Sequence, residues 1–444
     1  MERRSFIQIA GLGGLAVMAP MTVHKRARAA NKYSGPFFVA LHAGGGWDPT
    51  MLTDPKGGTI NKGFSAGATA GNITYAPIDY KNADTGKVAY TAKAFFETYK
   101  DRLLVINGID TTTNNHDTGT RITWSGMSTE GQPALAAMYA AQQTKDAPIP
   151  MAFLSNGGFD ATEGVVQLTR SGSIDSLRRI AYPNVANVGD VGSDKPLSYF
   201  VTPDTQSRIA QAQAARLTAL RDASRLPVHT AGINALYLAR QSNDGLDLLA
   251  NVLAGQKQVK VDDYPDLKDV GNLGSLQSLM QQAQLAVSAF TAGVAVSANL
   301  SIGGFDTHSN HDADQGRQLV QLLRGLAYLY DTADAAGIGG NLYVMVGSDF
   351  GRTPKYNNAN GKDHWNVTSM MLSGPGIAGN RVIGQTTPEF GLLQYDPQLN
   401  PVEKGRHLEP KHVHYALRQK LGLVGGDVDK QFPISGDELT VPLG

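Results

Sequence analysis

The sequence predicts an α/β protein, with a mostly parallel sheet covered by helices on both faces. Three observations carry this. Short runs that are apolar at every position recur along the chain, as strands buried on both faces require. Stretches of helical periodicity separate them, which gives the strand–helix alternation of the class. The chain is also large enough for a sizeable core: 444 residues, 41% hydrophobic, with 50 glycines that suit tight turns and close backbone approaches.

Taken in order, the first segment stands outside the fold. Met1–Ala30 begins Glu2-Arg3-Arg4-Ser5-Phe6-Ile7, continues through an apolar stretch from Ile9 to Val23, and ends Lys25-Arg26-Ala27-Arg28-Ala29-Ala30 with a small-x-small pattern. This is the pattern of a twin-arginine export signal. The apolar stretch is shorter than the ~18–20 residues of a spanning helix, so cleavage near Ala30 is expected, with no stable membrane span afterwards. Removal after Ala29 leaves 34 basic and 38 acidic residues. The expected location is periplasmic or secreted, and the expected partner during export is the twin-arginine translocase. Gly11-x-Gly13 follows no strand, so it carries no dinucleotide fingerprint.

Residues 31–444 are expected to form one α/β domain. The predicted strands are Phe37–Ala43, Arg102–Ile109, Ala295–Ile302, Leu342–Val346 and Thr368–Leu372. The predicted helices are Ser207–Leu226, Ile233–Ala254, Leu276–Ala292 and Gln315–Ala336. The stretch at about 203–292 is nearly all helical in pattern and is expected as a helical insert. Net charge is +0 with only 18% charged residues, so no basic stripe exists to bind a phosphate backbone, and nucleic acid is excluded as a partner. The absence of cysteine excludes a disulfide scaffold and thiolate chemistry.

Chemistry gathers where the strands end. Phe37–Ala43 runs into Gly44-Gly45-Gly46-Trp47-Asp48, and Arg102–Ile109 into Asp110-Thr111-Thr112-Thr113-Asn114-Asn115-His116. Ala295–Ile302 runs into Gly303-Gly304-Phe305-Asp306-Thr307-His308, and Leu342–Val346 into Gly347-Ser348-Asp349-Phe350-Gly351-Arg352; a further loop supplies Gly361-Lys362-Asp363-His364. Ligands of open α/β sheets bind outside the carboxyl ends of the strands, so these groups can converge there. Asp306 and His308 are two apart and, in extended backbone, face the same way. The competing role for acids in this segment is helix capping, which suits Asp312 and Asp314 ahead of the next helix. Ser348 lacks the spacing of a nucleophile elbow. The glycines before Asp48 either cradle an anion or turn the chain. His42, inside an apolar strand, reads as a core histidine, and His407, His412 and His414 as the solvated face of a helix over Lys411–Leu421.

The twin-arginine start, Gly45-Gly46-Trp47-Asp48, Gly304-Phe305-Asp306-Thr307-His308, Ser348-Asp349-Phe350-Gly351-Arg352 and Gly361-Lys362-Asp363-His364 together resemble the domain-of-unknown-function 1501 family, which is similar to the alkaline phosphatase and sulfatase superfamily. The resemblance implies a three-layer α/β/α, alkaline-phosphatase-like fold. It places metal ligands on Asp48, Asp306, His308, Asp349 and His364, the set reached from the strand exits. Phe350 stands where the superfamily has a histidine, and Asn115 where it has a nucleophilic hydroxyl, leaving Thr113 and Thr118 as the nearest substitutes.

The expected function is an exported metal-dependent hydrolase of phosphate or sulfate esters. One or two divalent ions (Zn, Mn or Mg) would activate water against a small-molecule or glycan ester. His116 is expected to protonate the leaving group and Arg352 to pair with the anion. The alternative is a non-catalytic exported binding or surface-assembly protein that keeps the fold.

Overall fold

The computed structural model describes residues 32–444 apart from 83–84, 146–148, 172–173, 192–194, 226–248 and 255. The export signal over Met1–Ala30 and most of the expected helix Ile233–Ala254 lie outside the described residues.

An eight-stranded sheet organises the chain. Its strands are β1 (Phe37–Ala43), β2 (Leu104–Asp110), β3 (Phe153–Ser155), β4 (Leu168–Arg170), β5 (Ser297–Ile302), β6 (Leu342–Ser348), β7 (Val367–Ser373) and β8 (Arg381–Ile383). Their spatial order is β8-β2-β7-β6-β1-β5-β3-β4. β1 lies between β5 and β6, parallel to both, with Phe38 opposite Ser297 and Tyr343. The β3–β5, β3–β4 and β2–β8 pairs are parallel too. Only β7 runs against its neighbours, β6 and β2.

Alternation along β1 explains its unbroken apolar run. Phe37, Val39, Leu41 and Ala43 enter one core with Leu285 and Ala289 of α6 (Gly274–Ala292) and Leu322 and Leu326 of α7 (His311–Ala335). Phe38 and Ala40 enter the other, beneath Ala137 and Ala140 of α3 (Leu135–Thr144) and Val413 and Leu417 of α8 (Pro410–Lys420). Successive side chains of a strand point to opposite faces, so a sheet covered on both sides needs apolar residues at every position. The architecture is three-layered α/β/α, as the sequence predicts.

The remaining helices are α1 (Ala92–Tyr99), α2 (His116–Ser125), α4 (Ile174–Ala181) and α5 (Pro203–Ala223). Within the stretch expected as an insert, α5 buries only Ala210 and Leu217, whereas α6 buries twelve residues and belongs to the layer on the sheet.

The single reversed strand has a consequence for the site. The segments that follow β1, β2, β5 and β6 leave the sheet at the carboxyl edge of the parallel set. Because β7 is antiparallel, the segment that precedes it reaches that same edge. Gly351–Arg352 pairs with His364–Trp365 in a two-residue ladder, Arg352 opposite His364, and this fixes the histidine beside the β6 exit.

Candidate metal centre at the carboxyl edge of the sheet

Asp306 is the focus of three histidines from three segments. Its Oδ1 lies 3.0 Å from His308 Nε2 and 3.2 Å from His364 Nε2, and its Oδ2 lies 3.6 Å from His116 Nε2. The ligand atoms of His116, Asp306 and His364 all lie within 4.8 Å of one another, a group able to hold a metal ion. Two sequence neighbours reach the same point because the Phe305–His308 segment is extended, as the i, i+2 spacing predicts.

The other ring nitrogen of each histidine is anchored to an acceptor. His364 Nδ1 donates to the Asn114 carbonyl at 2.8 Å. His308 Nδ1 meets Asp363 Oδ1 at 2.9 Å, and His116 Nδ1 meets Asp349 Oδ2 at 2.7 Å. A carbonyl and a carboxylate only accept, so each Nδ1 carries the hydrogen and each Nε2 presents its lone pair to the cluster. His308 Nε2 and His364 Nε2 then face each other at 3.0 Å with nothing between them. Two lone pairs at that distance repel unless a cation separates them.

The donor set therefore fits a metal. Bonds of 2.0–2.1 Å in tetrahedral geometry put ligand atoms ~3.3 Å apart, and the observed 3.0, 3.2 and 3.6 Å bracket that value. A histidine whose far nitrogen is held by a carboxylate or a carbonyl is the usual arrangement behind a metal ligand.

Asp349 sits beneath the cluster and holds it. Its Oδ1 lies 2.5 Å from His42 Nε2, and its Oδ2 accepts from His116 Nδ1 and, at 3.0 Å, from the Gly45 amide. Burial would raise its carboxyl, but the His42 and His116 hydrogen bonds outweigh that and hold the pKa at about 2. Both oxygens are engaged with protein donors, so Asp349 orients His116 rather than facing an ion. The Gly45–Gly46 turn makes this possible: both have positive φ, and a Cβ on Gly45 would lie 2.6 Å from the Asp306 amide nitrogen.

Asp48, carried over as a ligand, stands apart. It is 0% exposed; its Oδ1 accepts from the Thr50 amide and hydroxyl, and its Oδ2 meets His311 Nε2 at 2.9 Å and Lys362 Nζ at 2.6 Å. Burial would raise its carboxyl, yet the Lys362 ammonium and the His311 hydrogen bond hold it far below the usual carboxylate range. The ammonium occupies the place where a cation would sit, so the structure corrects the expectation for Asp48. Lys362 also reaches Asn61 Oδ1 at 2.7 Å, and His311 Nδ1 reaches the Thr307 hydroxyl at 2.7 Å. This buried cluster ties the segments bearing Asp306, His308 and His364 to the loop after β1.

Arg352 is likewise corrected. It is 0% exposed; Nε donates to the Gly46 carbonyl at 2.8 Å, Nη1 to the Lys362 carbonyl at 3.1 Å, and Nη2 to the Gly45 carbonyl and to Asp306 Oδ1, the latter at 2.7 Å. A guanidinium so committed fixes Asp306 and the glycine turn and does not meet a substrate anion. Burial would raise the Asp306 carboxyl, and this guanidinium, with the histidines, pulls it below the usual range.

Asn115 caps α2, accepting from the Thr118 amide at 3.1 Å, while the Thr113 hydroxyl accepts from the Asn115 amide at 3.2 Å. Thr113 and Thr118 thus frame a helix start. His412 and His414 are not solvated: they are 1% and 0% exposed, and burial pushes both down to about 4. His407 is partly exposed and pairs with Asp110 Oδ2 at 3.1 Å. Sequence reasoning missed His42, Asp363, Lys362 and His311 as parts of the site. His42 was discoverable from the strand pattern, since a histidine one residue before a glycine-rich strand exit lies at the working edge.

The fold and the cluster define an α/β protein that presents a histidine–carboxylate group at the carboxyl edge of its sheet. The chain belongs to the family described as "Protein of unknown function (DUF1501)", whose model matches residues 38–404. No curated protein sequence matches it. Among solved structures it is similar to Ps i-CgsB in complex with k-i-k-neocarrahexaose, at 7% identity, 91% of this chain and 75% of that chain covered, and a TM-score of 0.41. It is also similar to BT1596, a 2-O GAG sulfatase (10%, 89% and 72%, 0.32), and to alkaline phosphatase from the Antarctic bacterium TAB5 (10%, 79% and 95%, 0.32). No helix among the described residues is long and apolar enough to cross a membrane.

Proposed function

We propose that the protein is an exported, metal-dependent hydrolase of phosphate or sulfate esters, acting on a small-molecule or glycan ester outside the cytoplasm. The observation that carries the reading is the convergence of three anchored histidines on Asp306. His116, His308, His364 and Asp306 would hold one ion, and three imidazoles with a single carboxylate favour Zn or Mn over Mg. When bound, such an ion supplies Lewis acidity toward an ester oxygen and lowers the pKa of water.

The chain's own groups set the geometry. His42 and Gly45 fix Asp349, which fixes the His116 ring. Arg352 fixes Asp306, and Asp363 and Asn114 fix the other two rings. The His308 side chain is 46% exposed, so the cluster opens to solvent and an ester can approach. His116 is then a ligand, not the proton donor expected from sequence.

The test is elemental analysis of the purified protein beside turnover of p-nitrophenyl phosphate and p-nitrophenyl sulfate, for wild type, Asp306→Asn and His308→Ala. Bound metal and turnover should fall together in both variants while the circular dichroism spectrum stays that of wild type. Full metal occupancy with unchanged turnover in both would sink the proposal. One observation favours the non-catalytic reading: Asn115 is a helix cap and offers no nucleophile. A protein that binds one ion and turns over neither ester would support it.

A further inference from the structure

A second opening lies on the same edge of the sheet. At the ends of β3 and β4 a cavity of about 450 Å³ is lined by Ser155, Asn156, Gly158, Asp160 and Arg170, with Gln282 of α6 on its far side. The volume is that of a small-molecule site.

Three features define its chemistry. The Asn156 side chain is the first: both Oδ1 and Nδ2 are shielded from solvent and have no hydrogen-bond partner among the described residues. A shielded amide without partners costs folding free energy, so its retention points to something that fills the cavity. Its backbone is firmly held, the amide donating to the Asn299 carbonyl at 3.0 Å and the carbonyl accepting from the Ser301 hydroxyl at 3.0 Å. The carboxamide is therefore a fixed donor and acceptor side by side, which matches a hydroxyl group better than an anion or an apolar group.

Charge is the second feature. Asp160 and Arg170 cancel each other through Nε and Nη2 contacts of 2.9–3.1 Å, and the Ser155 hydroxyl donates to Asp160 Oδ2 at 2.8 Å. The wall is strongly polar yet neutral, and the Arg170 side chain is 71% exposed at the rim. A neutral ligand rich in hydroxyl groups suits it.

Position is the third. A Cβ on Gly158 would lie 3.2 Å from His42 Nδ1, and His42 Nε2 contacts Asp349, the residue that holds His116. A ligand in the cavity is thus a side chain or two from the metal centre, within reach of a single substrate spanning both.

We infer that this cavity is a subsite for the uncharged sugar portion of the substrate, with one sugar hydroxyl on the Asn156 carboxamide and its neighbours on the Asp160–Arg170 rim. The inference rests on the hydrolase reading for the ester; recognition of the sugar does not require the metal.

The experiment separates the two. Saturation-transfer NMR and titration calorimetry would measure galactose, N-acetylglucosamine and lactose, and N-acetylglucosamine 6-sulfate as the ester, against wild type, Asn156→Ala, Arg170→Ala and Asp306→Asn. At least one uncharged sugar should bind wild type and Asp306→Asn equally, and bind Asn156→Ala about tenfold more weakly, the equivalent of one lost hydrogen bond of ~1.4 kcal/mol. Arg170→Ala, changed at an exposed rim, should fold normally and weaken the same sugar. The sulfated sugar should gain affinity over the plain one in wild type and lose that gain in Asp306→Asn. Loss of the gain alone would defeat the ester reading and leave the subsite standing. Absence of saturation transfer to every sugar, or equal affinity in wild type, Asn156→Ala and Arg170→Ala, would overturn the subsite and leave the cavity to water.

Discussion

Lys362 offers the sharpest perturbation of the structure. Its ammonium and the Asp48 carboxylate are both 0% exposed and lie 2.6 Å apart. At an effective dielectric constant of ~20, two unit charges at that distance attract by ~6 kcal/mol, which offsets the cost of removing both from water. Lys362→Met keeps most of the side-chain volume and removes the charge, leaving Asp48 buried with only Thr50 and His311 as partners. Breaking a buried pair from one side costs ~3–5 kcal/mol, and that is the expected loss. Asp48→Asn strands the ammonium and should cost a similar amount. The double variant Lys362→Met with Asp48→Asn removes both charges and should be less destabilised than the sum of the singles, by ~2 kcal/mol or more. The assay is urea denaturation in the presence of a chelator, so that metal binding adds nothing to the measured stability. Lys362→Met within ~0.5 kcal/mol of wild type, or strict additivity in the double variant, would refute the claim that Lys362 takes a cation's place beside Asp48. Metal stoichiometry gives an independent check: wild type should bind one ion per chain, and a second ion lost on Asp48→Asn would return Asp48 to the ligand set.

Three further outcomes follow from the geometry. Arg352→Lys cannot reproduce the bonds to the Gly45, Gly46 and Lys362 carbonyls and to Asp306, so it should lower stability by ~2 kcal/mol or more and weaken metal binding; a change confined to the KM for an ester would restore the anion-binding role. Gly45→Ala places a methyl group 2.6 Å from the Asp306 amide nitrogen at φ +118°, and should loosen metal binding and lower the melting temperature, whereas wild-type values for both would contradict the packing. His414, fully buried, has its pKa pushed down from ~6.5 to about 4 by burial, so the unfolded chain binds the extra proton first as pH falls: its contribution to stability is complete above ~6.5, declines by up to ~1.4 kcal/mol per pH unit below that, and is lost by about 4. His414→Gln should flatten the stability profile by about one proton between pH 6 and 4.5, and an unchanged slope would show that another group titrates there.

Much of the fold is legible in the sequence because a sheet covered on both faces writes itself as apolar runs. β1, β2, β5, β6 and β7 all fall on such runs, within two residues at either end. The direction of β7 is not in its run, since hydrophobicity has no polarity along the chain. It is carried by the connection instead: a parallel crossover usually contains a helix, and the chain from Asp349 to Asn366 shows only a two-residue ladder. β3, β4 and β8, at three residues each, are too short to carry a pattern. His414 was misjudged beside Lys411 and Arg418, although Pro410, Val413, His414, Leu417 and Leu421 form the buried stripe at helical spacing. Asp306, His308 and His364 were legible because ligands gather at strand exits. Asp48 obeyed the same rule and was misplaced, because its neutralising partner lies 314 residues along the chain.

The electrostatics of that edge argue for a single ion. Asp48, Asp306 and Asp349 converge on a region where three carboxylates would repel one another, and each is neutralised differently. Asp48 is met by a buried ammonium and the ring of His311, with two donors from Thr50. Asp349 receives two imidazole contacts and a peptide N–H, which use both of its oxygens. Asp306 alone is half open: Arg352 takes one direction of Oδ1, and the remaining lone pairs face three Nε2 atoms that cannot donate to them. Only there do donor atoms converge with no hydrogen to share. A second ion would have to displace either the Lys362 ammonium or the two histidines on Asp349, and in each case it would strand a buried group whose partner it had taken, at a cost of several kcal/mol. The chain's fixed cations and N–H donors thus limit the number of ions it can take to one.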